Sequence, residues 1–283
     1  WMGICHGWAP ASYMVKRAQK KIQVPAYDGK LLNFYPADIK ALSSLLWAKA
    51  RFPVKFLGGR CNSKEPNLDD EGIRVIDQEC FDVNPAAWHM SMVNQVGRNQ
   101  RSFVFDATYD YQVWNQPVIS YKIRYFNPND MKAKDSLEEA MIKKEEFEKD
   151  NFAKYRSSEA RQYVGIFMNV EYGVEVDPRQ REEDSERFDR SHDADYIYDL
   201  ELDEEGNIIG GEWYNLYHPD FIWDPADGAR AVSSGDRYLG QSNWSGKDPV
   251  PAAWSKIYDY AGKRGEPLAK IVEKLIELSR QGE

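Results

Sequence analysis

Three cysteines and four histidines in 283 residues leave little material for a metal centre or a disulfide scaffold. No apolar run approaches the roughly 18 residues needed to span a bilayer. The longest, from Ala41 to Leu57, is broken by Lys49, Arg51, Pro53 and Lys55. Positive charge is also short. There are 37 Lys and Arg against 46 Asp and Glu, a formal net charge of −9. Phosphate-backbone binding is therefore not the expected business of this chain, and no nucleic-acid partner is expected. Aromatic residues, in contrast, are plentiful, with 9 Trp and 17 Tyr. Together with 42% hydrophobic residues they are too many for a disordered chain and enough for one large core or two modest ones.

The pattern along the chain is α+β. Ile4, Trp8, Ala11, Tyr13, Met14, Val15, Ala18 and Ile22 predict a helix from Cys5 to about Gln23, with Pro10 in its first turn. A second helix is expected from Pro36, with Ile39, Leu42, Leu45, Leu46 and Ala50 at helical spacing. Trp88 to Val96 and Ser102 to Ala107 read as two strands joined by the hairpin chemistry of Gly97-Arg98-Asn99-Gln100. Further strands are expected over Asp110 to Tyr125, Tyr163 to Val176 and Ala194 to Ile209, the last turning near Asp203 to Asn207. Lys132 to Lys154 reads as a solvated amphipathic helix, and the charge run from Arg179 to Asp195 as a mobile loop. A closing helix is expected from about Glu266 to Gln281, with Pro267 in its first turn. Composition divides the chain into a core over residues 1–126, a charged insert over 127–209 and an aromatic-rich part with the closing helix over 210–283.

The chemistry-bearing residues are few. Cys61 and Cys80 flank a turn-rich loop holding Asn62, Pro66, Asn67 and Gly72. A disulfide between them would contribute on the order of 3 kcal/mol and leave Cys5 as the remaining thiol. The alternative is three reduced cysteines in a cytosolic protein. Cys5 at a helix start sits where the dipole favours a thiolate. His6 follows it directly, about 100° round the helix, and is poorly placed to pair with it. His192 lies in the charge run. His89 and His218 remain as candidate bases, and Asp106 can approach His89 if the two expected strands form one hairpin.

Cysteine on a helix start, then histidine, then aspartate is the order of the transglutaminase-like, papain-related enzymes. More closely, Gly3-Ile4-Cys5-His6-Gly7-Trp8-Ala9-Pro10-Ala11, Asn84-Pro85-Ala86-Ala87-Trp88-His89, Phe105-Asp106-Ala107-Thr108 and Val113-Trp114-Asn115-Gln116-Pro117 resemble the transglutaminase elicitor family, secreted oomycete transglutaminases and their bacterial relatives. Tyr214 to Trp223 resembles it as well. The resemblance implies a papain-like or transglutaminase-like core, a nucleophile helix packed on an antiparallel sheet. It implies Cys5 as nucleophile, His89 as general base and Asp106 as orienter of a secreted cysteine acyltransferase. Such an enzyme forms a thioester with a protein glutamine and passes it to a lysine or other amine. Trp8, Trp88, Trp114, His218 and Trp223 are the expected substrate contacts, and Trp213, Tyr214, Trp223 and Trp244 could together line a cleft; core packing is the other reading of these aromatics.

The Cys5 amide is a natural oxyanion donor, but papain-like enzymes place a second donor about six residues upstream, more than the four available here. An upstream segment, cleaved or separate, is expected to complete the site. The first residue, Trp1, fits a chain trimmed from something longer. Calcium stays open as a cofactor: no stretch has the ligand spacing of a calcium loop, and Asp69-Asp70-Glu71 and Arg181 to Asp184 read as solvated surface. A peptidase or glutamine deamidase on the same three residues, and a secreted binding protein with a relic triad, are the alternatives.

Overall fold

The computed structural model describes residues 3–72, 74–108 and 111–281. In chain order the elements are α1 (Cys5–Met14), β1 (Ile22–Pro25), β2 (Leu31–Phe34), α2 (Pro36–Lys49) and β3 (Val54–Gly58). Then come α3 (Pro85–Ser91), β4 (Val104–Asp106), β5 (Asn115–Asn127), β6 (Lys132–Lys134), α4 (Leu137–Ala140) and β7 (Ile142–Lys143). The chain continues through β8 (Gln162–Val174), β9 (Arg190–Leu202), β10 (Ile208–Gly210) and β11 (Phe221–Pro225), and closes with α5 (Ser255–Arg264) and α6 (Ala269–Ser279). These elements make two compact units. One takes in 1–55, 174–190 and 225–283; the other takes in 56–173 and 191–224. The composition boundaries at 126 and 209 fall inside β5 and β10.

The first unit is mainly helical. α1 buries Gly7, Ala9, Pro10 and Ala11 and packs against α2. A side chain at Gly7 would put its Cβ 2.3 Å from the Ser44 carbonyl oxygen, so glycine is what lets the two helices approach. α1 is shorter than its periodicity predicts. The backbone turns extended at Val15, and Pro10 lies in the second turn, where it supplies no amide to the helix. α2 begins at Pro36 with Asp38 accepting the Tyr35 amide at 2.9 Å. α6 starts where Asp236 accepts the Ala269 amide at 2.9 Å. It buries Val272, Leu275 and Ile276 among Ile39, Leu46, Trp47 and Trp254.

Of the charge run expected to be a loop, 179–189 are loop apart from a single 3-10 turn at Glu186–Phe188, and 190–195 belong to β9. Asp184 pairs with both Arg17 and Lys40, at 2.8 and 2.7 Å, and Glu182 with Lys21 at 2.8 Å. The sequence run of charge is matched by bases far away in the chain, which periodicity cannot see.

The second unit is built on a nine-stranded sheet in the order β10-β9-β8-β5-β4-β11-β3, with β6 added on β5 and β7 on β8. The β10–β9, β11–β4, β4–β5, β5–β6, β5–β8 and β7–β8 pairs are antiparallel. The expected strands over 163–176 and 194–209 are β8 and β9 with β10. β5 starts at Asn115; Asp110, where its strand was expected to begin, lies outside the described residues. Lys132 to Lys154 is not a helix. It supplies β6, the single turn of α4, and β7, and it buries Ala140, Ile142 and Phe152. Phe152 and Phe147 lie against the guanidinium of Arg156 at 5.5 and 5.6 Å, with Tyr163 closer at 4.7 Å. Arg156 also holds Asp150 and Asp199.

Trp88 is the centre of this unit's core, fully buried against Phe103, Phe105, Tyr196 and Trp213.

Candidate active site

Cys61 and Cys80 form the disulfide, and Cys5 is the cysteine left outside it. Cys5 is the first residue of α1 and is half-buried. His6 turns away from it to the Ala48 carbonyl of α2, 3.3 Å from Nε2. Trp8, one turn along, is half-buried. Both Cys5 and Trp8 belong to the first unit, and His89, Asp106, Trp88, Trp114, His218 and Trp223 to the second.

His89 lies on a helix, not on a strand. Asn84 Oδ1 accepts the Ala86 amide at 2.9 Å, Pro85 opens α3, and the chain continues past Ser91 as a π-helical stretch to Arg98. The buried residues Trp88 and Met92 are four apart, one helical turn, while Met90 between them is exposed. The Gly97 hairpin that would have faced His89 with Asp106 is therefore absent.

The imidazole of His89 is held by a residue that the sequence did not single out. Its Nδ1 is 2.9 Å from the hydroxyl of Tyr198 on β9, which is 0% exposed. That hydroxyl is also 3.8 Å from Met168 Sδ as donor. A hydroxyl has one hydrogen, so both bonds exist together only if it donates to the sulfur and accepts from Nδ1–H. The proton then sits on Nδ1, and Nε2 carries the lone pair. Burial pushes the His89 pKa down to about 4, so the ring is neutral at neutral pH. Burial also holds Tyr198 far above the usual phenol range, so it stays protonated.

Asp106 is fully buried at the end of β4. Its Oδ1 accepts from the Thr108 hydroxyl at 3.0 Å and the Trp114 amide at 2.9 Å. Asn115 is its partner across β4–β5, and Trp223 Nε1 donates to Asn115 Oδ1 at 2.7 Å. Cross-strand partners point to one side of a sheet, so Asp106, Asn115 and Trp223 share a face. Phe103 and Phe105, which meet Trp88, point to the other. Among the described residues His89 and Asp106 share no hydrogen bond; each has its own partners.

The expected substrate contacts separate by exposure. Trp114 is 38% exposed and Trp223 half-buried, so both reach the surface. Trp88 is core and meets no solvent. Trp213 packs in the second unit's core and Trp244 in the first's. His218 is buried, stacked on Trp213 with ring centroids 4.9 Å apart, and its Nδ1 is 3.4 Å from Asp82 Oδ2. Burial lowers His218 to about 4. Tyr198, Asp82 and Glu212 are the residues of interest that sequence reasoning missed. A lone Tyr on an alternating strand and acids outside any motif carry no signal of burial. Among the described residues no group of three or more His, Cys, Asp or Glu is placed to hold a metal ion, and no helix is long and apolar enough to cross a membrane.

A mainly helical unit and a unit built on a large antiparallel sheet make this a mixed helix-and-sheet protein. That architecture is similar to the crystal structure of the GP42 transglutaminase from Phytophthora sojae, with a TM-score of 0.54 and 22% identity. The similarity covers 93% of this chain and 64% of the other, so the chain spans somewhat under two thirds of that protein's length. The family model for the transglutaminase elicitor matches residues 1–237, and the chain belongs to that family. No curated protein matches it.

Proposed function

We propose that this chain is a cysteine acyltransferase of transglutaminase type acting on protein glutamine, with Cys5 as nucleophile. The observation that carries the reading is the fate of the three cysteines within the matched region. Two are joined as a disulfide, and the remaining thiol stands at the first residue of a helix. In this reading Cys5 Sγ attacks the glutamine carboxamide carbon while Nε2 of His89 takes the thiol proton. The first-turn amide of Cys5 stabilises the oxyanion. Nε2–H returns the proton to the leaving nitrogen as the C–N bond breaks, and ammonia departs. A lysine amine then attacks the thioester, losing its proton to Nε2, and the thiolate leaves.

The sequence assigned the orienting of His89 to Asp106. The geometry favours Tyr198 for that part, since its hydroxyl is at Nδ1 and leaves Nε2 for proton transfer. Asp106 keeps a proposed role as the acid of the site, ordering the Trp114 surface through its bonds to Thr108 and the Trp114 amide, with Asn115, the acceptor of Trp223 Nε1, beside it across the strands. The disulfide fits an oxidising, extracellular setting, and the partners are proteins with exposed Gln and Lys.

Incorporation of a labelled primary amine into a glutamine-rich protein, with ammonia measured alongside, tests the proposal. Thiol-sensitive incorporation is expected. Ammonia release without incorporation would make the chain a deamidase instead. Cleavage of the protein without either would make it a peptidase.

A further inference from the structure

Within the second unit a cavity of about 100 Å³ is lined by Arg74, Asp82, Phe152, Glu212, Trp213 and His218, among others. Its polar groups are mostly acceptors. His218 is 8% exposed, and its Nδ1 is buried with no hydrogen-bond partner. Asp82 stands 3.4 Å from that nitrogen. Arg74 is the cavity's cation, and it is already engaged: it is 2.5 Å from Glu212 and its guanidinium lies 4.1 Å over the Tyr155 ring. Among the described residues Asp82 therefore has no cation of its own, and Asp220 adds a second carboxylate that repels its charge. Trp213 and Phe152 give apolar walls.

We propose that this cavity is a binding site for a small primary ammonium group, which donates to Asp82 and to His218 Nδ1 and lays its alkyl stem along Trp213 and Phe152. One uncompensated carboxylate calls for a univalent cation. With its ring N–H given to the Pro219 backbone from Nε2, neutral His218 offers Nδ1 as an acceptor; that calls for a cation with several N–H donors, and an –NH3+ has three. Among the described residues no set of ligands fits a metal ion here. The site is formed by the second unit alone and does not rest on the acyltransferase reading.

Ammonium binding requires ionised Asp82, so protonation competes with it. Burial and Asp220 raise the Asp82 pKa to about 8. The groups facing Asp82 are His218, Asp220 and, across the cavity, Glu212 with Arg74. Burial lowers His218 to about 4, so it stays neutral through this range. Burial raises Glu212 to about 7, so its ionisation adds to the same trend. Affinity should then rise by at least about tenfold per pH unit up to about 8 and flatten above it.

The test is calorimetric titration of the full chain with ethylammonium chloride, with tetramethylammonium as the probe that lacks N–H donors. Saturable ethylammonium binding with the predicted pH dependence is expected, and tetramethylammonium should bind at least about tenfold more weakly, the loss of a charge-assisted hydrogen bond. Asp82→Asn should lose at least about tenfold in affinity, and His218→Gln, which keeps an acceptor, should lose less than His218→Leu. Cys5→Ser should bind ethylammonium as the parent does, whatever becomes of acyl transfer. If Asp82→Asn fails to fold, the parent protein still decides the matter. Titrations in buffers of different ionisation heat should find about one proton released per ammonium bound near pH 7. Equal binding by Asp82→Asn, equal binding of tetramethylammonium, no proton release, or no saturable binding at about pH 9, where Asp82 is ionised, would each overturn the proposal.

Discussion

Replacing Tyr198 by Phe removes one oxygen and leaves the ring that packs 5.1 Å from Trp213 in place. Two losses follow. The hydroxyl's own net hydrogen bond contributes about 1 kcal/mol, and the half-buried Nδ1–H of His89 left without an acceptor costs roughly 1–3 kcal/mol. The folded state should therefore lose about 2–4 kcal/mol in denaturant unfolding. The proton on His89 is then no longer held on Nδ1, and the Nε2–H tautomer gains population. Nitrogen NMR of the histidines reads this directly: one tautomer with the proton on Nδ1 in the parent, a mixture in Tyr198→Phe. If the acyl-transfer reading holds, kcat for amine incorporation should fall about tenfold, equivalent to 1.4 kcal/mol, with KM little changed. A parent His89 carrying its proton on Nε2, or a Tyr198→Phe protein with the parent's tautomer, would refute the reasoning.

Other perturbations reach other links of the account. Arg156→Met strips the cation from Asp150 and Asp199, both buried or nearly so, and should cost about 3–5 kcal/mol at neutral pH. Urea unfolding of the variant against the parent would read the loss. Gly7→Ala sets a Cβ 2.3 Å from the Ser44 carbonyl and 2.5 Å from Ala48. It should lower stability by about 1–3 kcal/mol and disturb the start of α1, reducing amine incorporation together with Tm. His89 has a folded pKa of about 4, below the unfolded value near 6.5. Its contribution to stability is complete above about pH 6.5, is lost as pH falls toward 4 and is flat below. Relative to His89→Gln, the parent should lose up to about 3 kcal/mol across that window in urea unfolding.

Local signals made some of this molecule legible in its sequence. α2 and α6 follow from apolar residues at helical spacing, and their buried faces are Ile39 with Leu46 and Val272 with Leu275 and Ile276. β8 and β9 follow from alternation and a turn at Asp203 to Gly206. The disulfide followed from two cysteines flanking a turn-rich loop. Three readings failed for physical reasons. Around His89 the alternating Trp88, Met90 and Met92 imitated a strand, although Asn84 and Pro85 mark a helix start. The charged stretch from Lys132 to Lys154 imitated a solvated helix, but β6 and β7 within it pair with β5 and β8, and Ala140, Ile142 and Phe152 are buried. The Arg179 to Asp195 run is loop only as far as 189; its charged end, 190–195, hides the start of β9. The site shows the same division. Cysteine, histidine and aspartate were visible as residue types in an order, whereas Tyr198 became visible only when β9 brought its hydroxyl to His89.

The central claim is that Cys5 carries the acyl group, and trapping that group tests it most directly. The protein would be mixed with a glutamine peptide in the absence of an amine acceptor, quenched in acid, and its peptides mapped by mass. The account predicts the acyl mass, with ammonia lost, on the peptide holding Cys5, removed by added amine and missing in Cys5→Ser. Amine incorporation that proceeds with Cys5 never modified, or that survives Cys5→Ser, would contradict it.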